Sequence, residues 1–404
     1  MSAVIARFLR ATAAAACLVA LLPARALRAE SIFGMNLLGE RVEAVDARVA
    51  ALGGFVQVVD DSLGLLQYNP AMLAFSKRVS FGAAGYVTRD DNQSQDLERV
   101  VVGTKFSAFA FAFPLFKRTL TASVGYRGRY DPDFDFGIAG ETSTGEDYTD
   151  IYERSGGTWG VPISIAADLG RYAKVGGTIS LERGTIEDRW LVDFQGGNTA
   201  DASSTQIREV SATGFGGGLV VRPVAGVSVG VAYEGEIDYD VAVTESFTNA
   251  SADTSYSETM LQPARWTVSA SWRVARGFTL YGGASMSDFT KFEGLDFPSD
   301  RLTEERVASF GLEYRIRGAR LPIRASARYE KLPYTLPAGE EITRVSFALG
   351  SGLLFRTGRG KLDAALQFGK MGSVGTNTYE DRQVRFYVSI TGSENWATKR
   401  EGRY

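Results

Sequence analysis

The sequence predicts an all-β fold, a single antiparallel transmembrane β-barrel of about fourteen strands with an N-terminal hatch or plug segment. Three observations carry that prediction. From Val79 onward the chain is a succession of short segments in which apolar and polar residues alternate, separated by turn residues. No apolar run approaches the roughly 18 residues that a helix needs to cross a bilayer. The stretch before Val79 lacks this alternation, and its centre, from Asp60 to Ala71, reads DDSLGLLQYNPA.

Taken in order, the chain begins with Arg7 and Arg10, an apolar run from Ala11 to Leu22, and small residues ending at Ala26 and Ala29. That order is expected of a secretory signal peptide over 1–29, with a hydrophobic run too short to span. Cys17, the only cysteine, lies inside the apolar run, which leaves the expected mature chain without thiol or disulfide chemistry. The hatch is expected over 30–78, the barrel over 79–392, and a short basic tail over 393–404.

The hatch residues have physical roles open to them. Asn69 and Pro70 form a turn initiator that can end the plug and aim Val79 into the wall, with Ala71 following. Asp60 and Asp61 can cap a short helix over Ser62 to Leu66. These are structural or gating positions, not chemical ones.

Alternation places the first seven strands at Val79–Thr88, Arg99–Phe113, Leu120–Tyr130, Thr158–Asp168, Ala173–Trp190, Ile207–Val221 and Val227–Val243. The remaining seven fall at Thr259–Val274, Phe278–Thr290, Glu305–Arg317, Pro322–Tyr334, Ile342–Phe355, Lys361–Lys370 and Asp381–Thr391. The clearest is the last, where Val384, Phe386, Val388 and Ile390 alternate with Arg385, Tyr387, Ser389 and Thr391. One such face suits lipid and the other a polar lumen. A soluble sandwich would alternate too, but aromatic residues at the ends of the apolar faces match the girdles of a membrane barrel. Connections after even strands are tight, whereas those at Asp131–Gly157, Leu191–Gln206 and Thr244–Glu258 are long and polar. Short periplasmic turns and longer outer loops put both termini in the periplasm of a bacterial outer-membrane protein.

Several classes are disfavoured. Histidine is absent, which removes the usual general base, the commonest metal ligand and the imidazole-dependent serine and cysteine mechanisms. No enzyme, cofactor or metal site is expected, and no metal-ligand spacing stands out among the loop carboxylates. A net charge of −3 offers no basic excess for a phosphate backbone, so no nucleic-acid partner is expected. The run Gly214 to Gly218 lies within a strand and reads as small residues that let neighbours approach, not as a phosphate loop.

The segment Asp60, Asp61, Asn69, Pro70, Ala71 and Phe75, leading through Phe81 to Tyr86 into strand one, resembles the start of the FadL-type outer-membrane transport proteins. That resemblance implies a hatch-gated lumen for passive uptake of hydrophobic small molecules of the fatty-acid or hydrocarbon class, with no cofactor. It implies as partners the hydrophobic substrate, outer-membrane lipids and lipopolysaccharide, and the barrel-assembly machinery. Ala47 to Gly54 also resembles the opening of PorV-like barrels, which implies the alternative of a secreted-protein partner and no transport. The later strands place charge in the expected lumen, including Arg306, Glu313, Arg315, Arg324, Arg328, Glu330 and Asp363. Arg324 and Arg328 could hold a substrate carboxylate, or could pair with Glu313, Glu330 and Asp363 across neighbouring strands.

Overall fold

The computed structural model describes residues 31–42, 46–54, 58, 69–94, 98–115, 119–195, 199–248, 252–295, 297–316, 321–337, 339–355 and 358–394. The expected signal peptide, the basic tail after Glu394, and Asp60 and Asp61 with the helix they were expected to cap lie outside these residues.

The wall is one closed antiparallel sheet. Its strands are β1 (Val79–Gln93), β2 (Glu98–Pro114), β3 (Leu120–Asp131 and Phe134–Glu141), β4 (Asp147–Asp168), β5 (Ala173–Phe194), β6 (Ala202–Val221) and β7 (Val227–Glu234 and Ile237–Phe247). They continue as β8 (Thr254–Gln262 and Arg265–Ala275), β9 (Phe278–Asp288), β10 (Glu304–Arg315), β11 (Pro322–Thr335), β12 (Glu341–Leu354), β13 (Gly360–Gly372) and β14 (Glu380–Glu394). Both segments of β3 pair with β4, and both segments of β7 pair with β6, so each interrupted strand is one member of a 14-strand barrel. Antiparallel pairing of β14 with β1, from Glu380 opposite Gln93 to Glu394 opposite Val79, closes it. Closure leaves no free sheet edge in a medium that cannot satisfy one.

The predicted faces are the observed ones in the half of the barrel nearer the short turns. Val384, Phe386 and Val388 are 36%, 47% and 40% exposed, whereas Arg385, Tyr387 and Ser389 are 7%, 4% and 3% exposed. Trp266, Val268 and Trp272 on β8, Ile323 and Tyr329 on β11, and Phe347 and Leu349 on β12 also point outward. Such a continuous apolar band is the surface that bilayer hydrocarbon covers. Arg306 departs from expectation: it is exposed on the outer face and pairs with Glu304, while Glu305 and Val307 turn inward.

The long polar connections are largely strand. Phe134–Glu141, the first half of β4 and the ends of β5 to β8 extend the sheet beyond the apolar band. There the alternation changes sign. In β7 the inward set is Ser228, Gly230 and Ala232 before the interruption at Gly235 and Glu236, and Ile237, Tyr239, Val241 and Val243 after it. Asp238 and Asp240 then face outward. Water outside this half of the wall accepts carboxylates, and the apolar side chains line the interior instead.

Three pieces of the N-terminal segment fill the lumen. A 3-10 turn, Ile32–Met35, is capped by Ser31, whose side chain accepts from the Phe33 amide. A two-residue strand, Glu40–Arg41, adds onto β3 opposite Asp131 and Tyr130. A short helix, α1 (Ala47–Ala51), is capped by Asp46, whose Oδ1 accepts from the Val49 amide at 2.7 Å. Gly53 and Gly54 then end the helix with positive φ, which L side chains rarely adopt, and the Gly54 amide donates back to the Val49 carbonyl.

Candidate functional site

The interior has two chemically distinct halves. Toward the short turns, charged side chains tie the plug to the wall. Arg48 on α1 donates from Nε and Nη2 to Glu313 on β10, each at 3.2 Å. Glu313 also accepts from Arg324 at 2.8 Å, and Arg324 reaches Asp363 on β13 at 2.6 Å. Arg328 pairs with Glu330 at 3.1 Å and lies against Gly54, where an added Cβ would meet its Nη1 at 2.7 Å. Arg324 and Arg328 are thus buried and paired with neighbouring carboxylates, the second of the arrangements open to them on sequence grounds. The network is part of the wall that holds the plug.

Further along the axis, Glu40 is held by Arg344 at 2.6 Å and Arg385 at 2.7 Å, with Gln383 donating to its second oxygen at 3.2 Å. Burial pushes the Glu40 carboxyl up, but the two guanidinium groups outweigh burial and hold it at about 2. The sign of the linkage follows: this attachment is fully present above the ordinary value of 4.5 and is lost as pH falls through about 2. Plug attachment is therefore expected to be unchanged from neutral pH to about 4.5, to weaken progressively below it and to be lost near 2, checked by amide hydrogen exchange of 31–42 at stepped pH.

Asn69, Pro70 and Ala71 are brought to the barrel wall. Asn69 Oδ1 caps a second 3-10 turn, Pro70–Phe75, by accepting from the Ala71 amide at 3.0 Å. Its Nδ2 donates to the carbonyl oxygens of Leu219 and Val231, at 3.4 and 3.3 Å. This docking needs bare backbone opposite: a Cβ on Gly218 would meet Asn69 Oδ1 at 2.0 Å, and one on Gly176 would meet the Ala71 amide at 2.6 Å. Gly218, at the end of the glycine-rich run, and Gly176 on the neighbouring strand are thus where the plug lands.

Toward the long loops an apolar cluster fills much of the interior, beside a largely buried ion-pair group of Arg154, Asp188 and Arg208. Phe33, Leu37 and Leu38 of the plug pack with Ile186, Val210, Ile237, Tyr239, Val241, Met260, Ile342 and Met371 of the wall. The segment between β9 and β10 folds inward onto the same cluster and contributes Phe289, Phe292 and Leu302, with Leu295 and Phe297 partly buried beside them. Sequence reasoning missed this chamber. Its available signal was the aromatic content of 289–297, which is unusual for a solvated loop. Between plug and wall a cavity of about 50 Å³ remains, lined by Phe33, Leu38, Phe289, Leu332 and Met371 on one side and by Glu305, Glu330 and Arg344 on the other.

A second cavity, of about 80 Å³, lies where β3 meets β4. Pairing between these strands lapses at Gly125 and Tyr126, opposite Val161 and Pro162, between the paired positions Val124–Ile163 and Arg127–Gly160. Pro162 has no amide hydrogen to offer a ladder. The pairing of β2 with β3 also ends at Ala108 opposite Arg127, and β3 accepts the plug strand beyond it. The cavity is lined by Met72 and Leu73 of the plug, by Arg127, Arg129, Ser180 and Glu182, and by Phe109, Tyr126 and Pro162. On the outer face an aromatic group, Phe106, Phe109, Tyr126 and Trp159, covers this seam, with ring centroids 5.8 to 6.2 Å apart.

A closed fourteen-strand antiparallel barrel with an apolar outer band and an N-terminal segment lying in its lumen is the architecture of an outer-membrane β-barrel. Its fold is that of the FadL-type channels. Over 88% of this chain and 99% of the other, it matches a Pseudomonas aeruginosa FadL homologue with a TM-score of 0.61 at 13% identity. The CymD monoaromatic hydrocarbon channel gives 0.59 at 14% identity over 88% and 99%. The Ralstonia pickettii toluene transporter TbuX gives 0.58 at 13% identity over 87% and 99%. These structural neighbours are channels and transporters, not enzymes. No family profile and no curated protein sequence matches the chain.

Proposed function

We propose that this protein is a passive channel for small hydrophobic molecules across the bacterial outer membrane, with the short turns and both termini on the periplasmic side. The observation that carries this reading is the apolar packing between the plug and the wall: an interior filled by Phe33, Leu38, Tyr239, Phe289 and Met371 is no water-filled pore, and the small cavity left beside them is where an apolar solute would insert. A hydrophobic solute entering between the long loops gains burial of roughly 25 cal/mol per Å² of apolar surface. The ion-paired plug blocks its direct path to the other end, and the seam at Gly125 and Pro162 offers a way out through the wall toward lipid. Known activities of the structural neighbours, a monoaromatic hydrocarbon channel and a toluene transporter among them, support the same solute class. No step needs a cofactor or an energy source.

Reconstituted in liposomes, the protein is expected to accelerate entry of toluene while leaving glucose entry at the level of protein-free vesicles. Equal permeation of both would make it a general porin. Transport of neither, together with co-purification of a secreted protein, would favour the secretion-partner alternative.

A further inference from the structure

The cavity behind the β3–β4 seam contains polar groups that the wall leaves unmet. Glu182 is fully buried, and neither Oε1 nor Oε2 has a hydrogen-bond partner. Ser180 Oγ, on the same inward face of β5, is likewise unpartnered and buried. Arg129 approaches Glu182 with Nε at 3.7 Å, beyond hydrogen-bond distance, and its Nε and Nη2 lack acceptors although Nη1 donates to Glu234 at 3.3 Å. A buried acceptor pair facing buried donors across such a gap costs stability unless something that both donates and accepts bridges them.

The backbone makes room for these groups deliberately close to the seam. A Cβ on Gly160 would meet Glu182 Oε2 at 2.5 Å and Ser180 Oγ at 2.7 Å, and one on Gly214 would lie 3.7 Å from Glu182 Oε1. The carboxylate therefore rests between two strands that carry no side chain there. Apolar and aromatic side chains, Met72 and Leu73 on the plug and Phe109 and Tyr126 at the seam, line one part of the cavity, and Arg127, Ser164, Thr178 and Glu234 add further polar groups to the part around Glu182.

We infer that Glu182, Ser180 and Arg129 form a hydroxyl-binding site inside the lateral passage, and that the solutes this channel favours are small apolar molecules bearing one hydroxyl group, of the phenol or aromatic-alcohol kind. A hydroxyl is the group that fits: it donates to the Glu182 carboxylate and accepts from Arg129 or Ser180, while the ring lies among Leu73, Phe109 and Tyr126. A bare hydrocarbon would leave the buried donors and acceptors unmet, and a carboxylate would face Glu182 without a proton to give it. The inference rests on the uptake reading and adds the solute's polar head to it.

The test uses the full-length protein in liposomes with phenol and toluene as probes, for the wild type, Glu182→Gln and Ser180→Ala. Phenol flux through the wild type is expected to exceed toluene flux by roughly tenfold, as one hydrogen bond to a charged group allows. Glu182→Gln should bring phenol down to the toluene level with toluene unchanged, and Ser180→Ala, the milder variant, should lower phenol several-fold. Heat-modifiable migration on gels confirms that each variant is an assembled barrel. If toluene passes and phenol shows no preference, or a preference that neither variant alters, the inference is wrong and water alone bridges Glu182 and Arg129, while the uptake reading stands. If the wild type passes neither probe, the uptake reading itself fails and takes the hydroxyl site with it.

Discussion

Deletion of Ser31 to Ser76 is expected to turn a nearly silent barrel into a conducting pore in planar bilayers. The wall closes on itself through β14 and β1, and the plug contributes to its ladder only the two-residue strand Glu40–Arg41 beside β3. Among the described residues the plug is attached at several separate places, including Arg48 on Glu313, Glu40 on Arg344 and Arg385, and Asn69 on the carbonyls of Leu219 and Val231. Removing it leaves an interior lined by Arg324, Asp363, Arg385 and other charged side chains, which water would hydrate. Fourteen strands lie between the roughly eight that side chains can fill and the 16 to 18 that leave an aqueous channel, so an emptied interior of this size conducts. Hatch gating then predicts that the same deletion abolishes discrimination between toluene and glucose. An assembled deletion barrel that stays silent would assign closure to the inward-folded segment around Phe289 and Phe292 instead.

Much of this architecture was legible in the sequence because strand periodicity reports burial directly. Fourteen alternating segments became fourteen wall strands, and Val384 to Thr391 has the faces that its side chains predicted. Periodicity alone does not say which face is the lumen once a strand leaves the membrane. Ile237 to Val243 alternates as regularly as Val384 to Thr391, yet its apolar residues point inward, since the interruption at Gly235 and Glu236 shifts the phase by one residue. The same limitation made the charged lumen visible and the apolar chamber invisible. Charge at Arg324 and Arg328 was evident, and so were the carboxylates they meet, Glu313 and Asp363 on other strands and Glu330 two residues along from Arg328; what the sequence did not show was that Arg48 of the plug joins the same group. The seam at Pro162 had a sequence signal, a proline inside a strand pattern, and the role of Gly218 had another, the three consecutive glycines 216–218 whose partner was a distant asparagine.

Glu313→Ala is expected to have the largest effect of any single wall substitution on the seating of the plug. The Glu313 carboxylate is almost fully buried and joins Arg48 of the plug, Arg324 of β11 and Arg315 of its own strand. Exchange for alanine leaves Arg48 facing Arg324 in a region from which water is largely excluded, with Asp363 alone to balance Arg324. Removing one member of a buried ion pair costs about 3–5 kcal/mol, most of it from the charge left behind. The wall has its hydrogen-bonded ladder to hold it, whereas α1 has only five residues and depends on such contacts. The loss should therefore appear as release of the plug before the barrel unfolds. Hydrogen exchange should accelerate in 46–54 while β10 and β11 stay protected, and conductance should rise toward that of the deletion barrel. Arg48→Ala in the same background should restore part of the loss, because it relieves the repulsion between Arg48 and Arg324 that Glu313 had offset; a double variant as leaky as the single one would mean that Glu313 holds the wall rather than the plug.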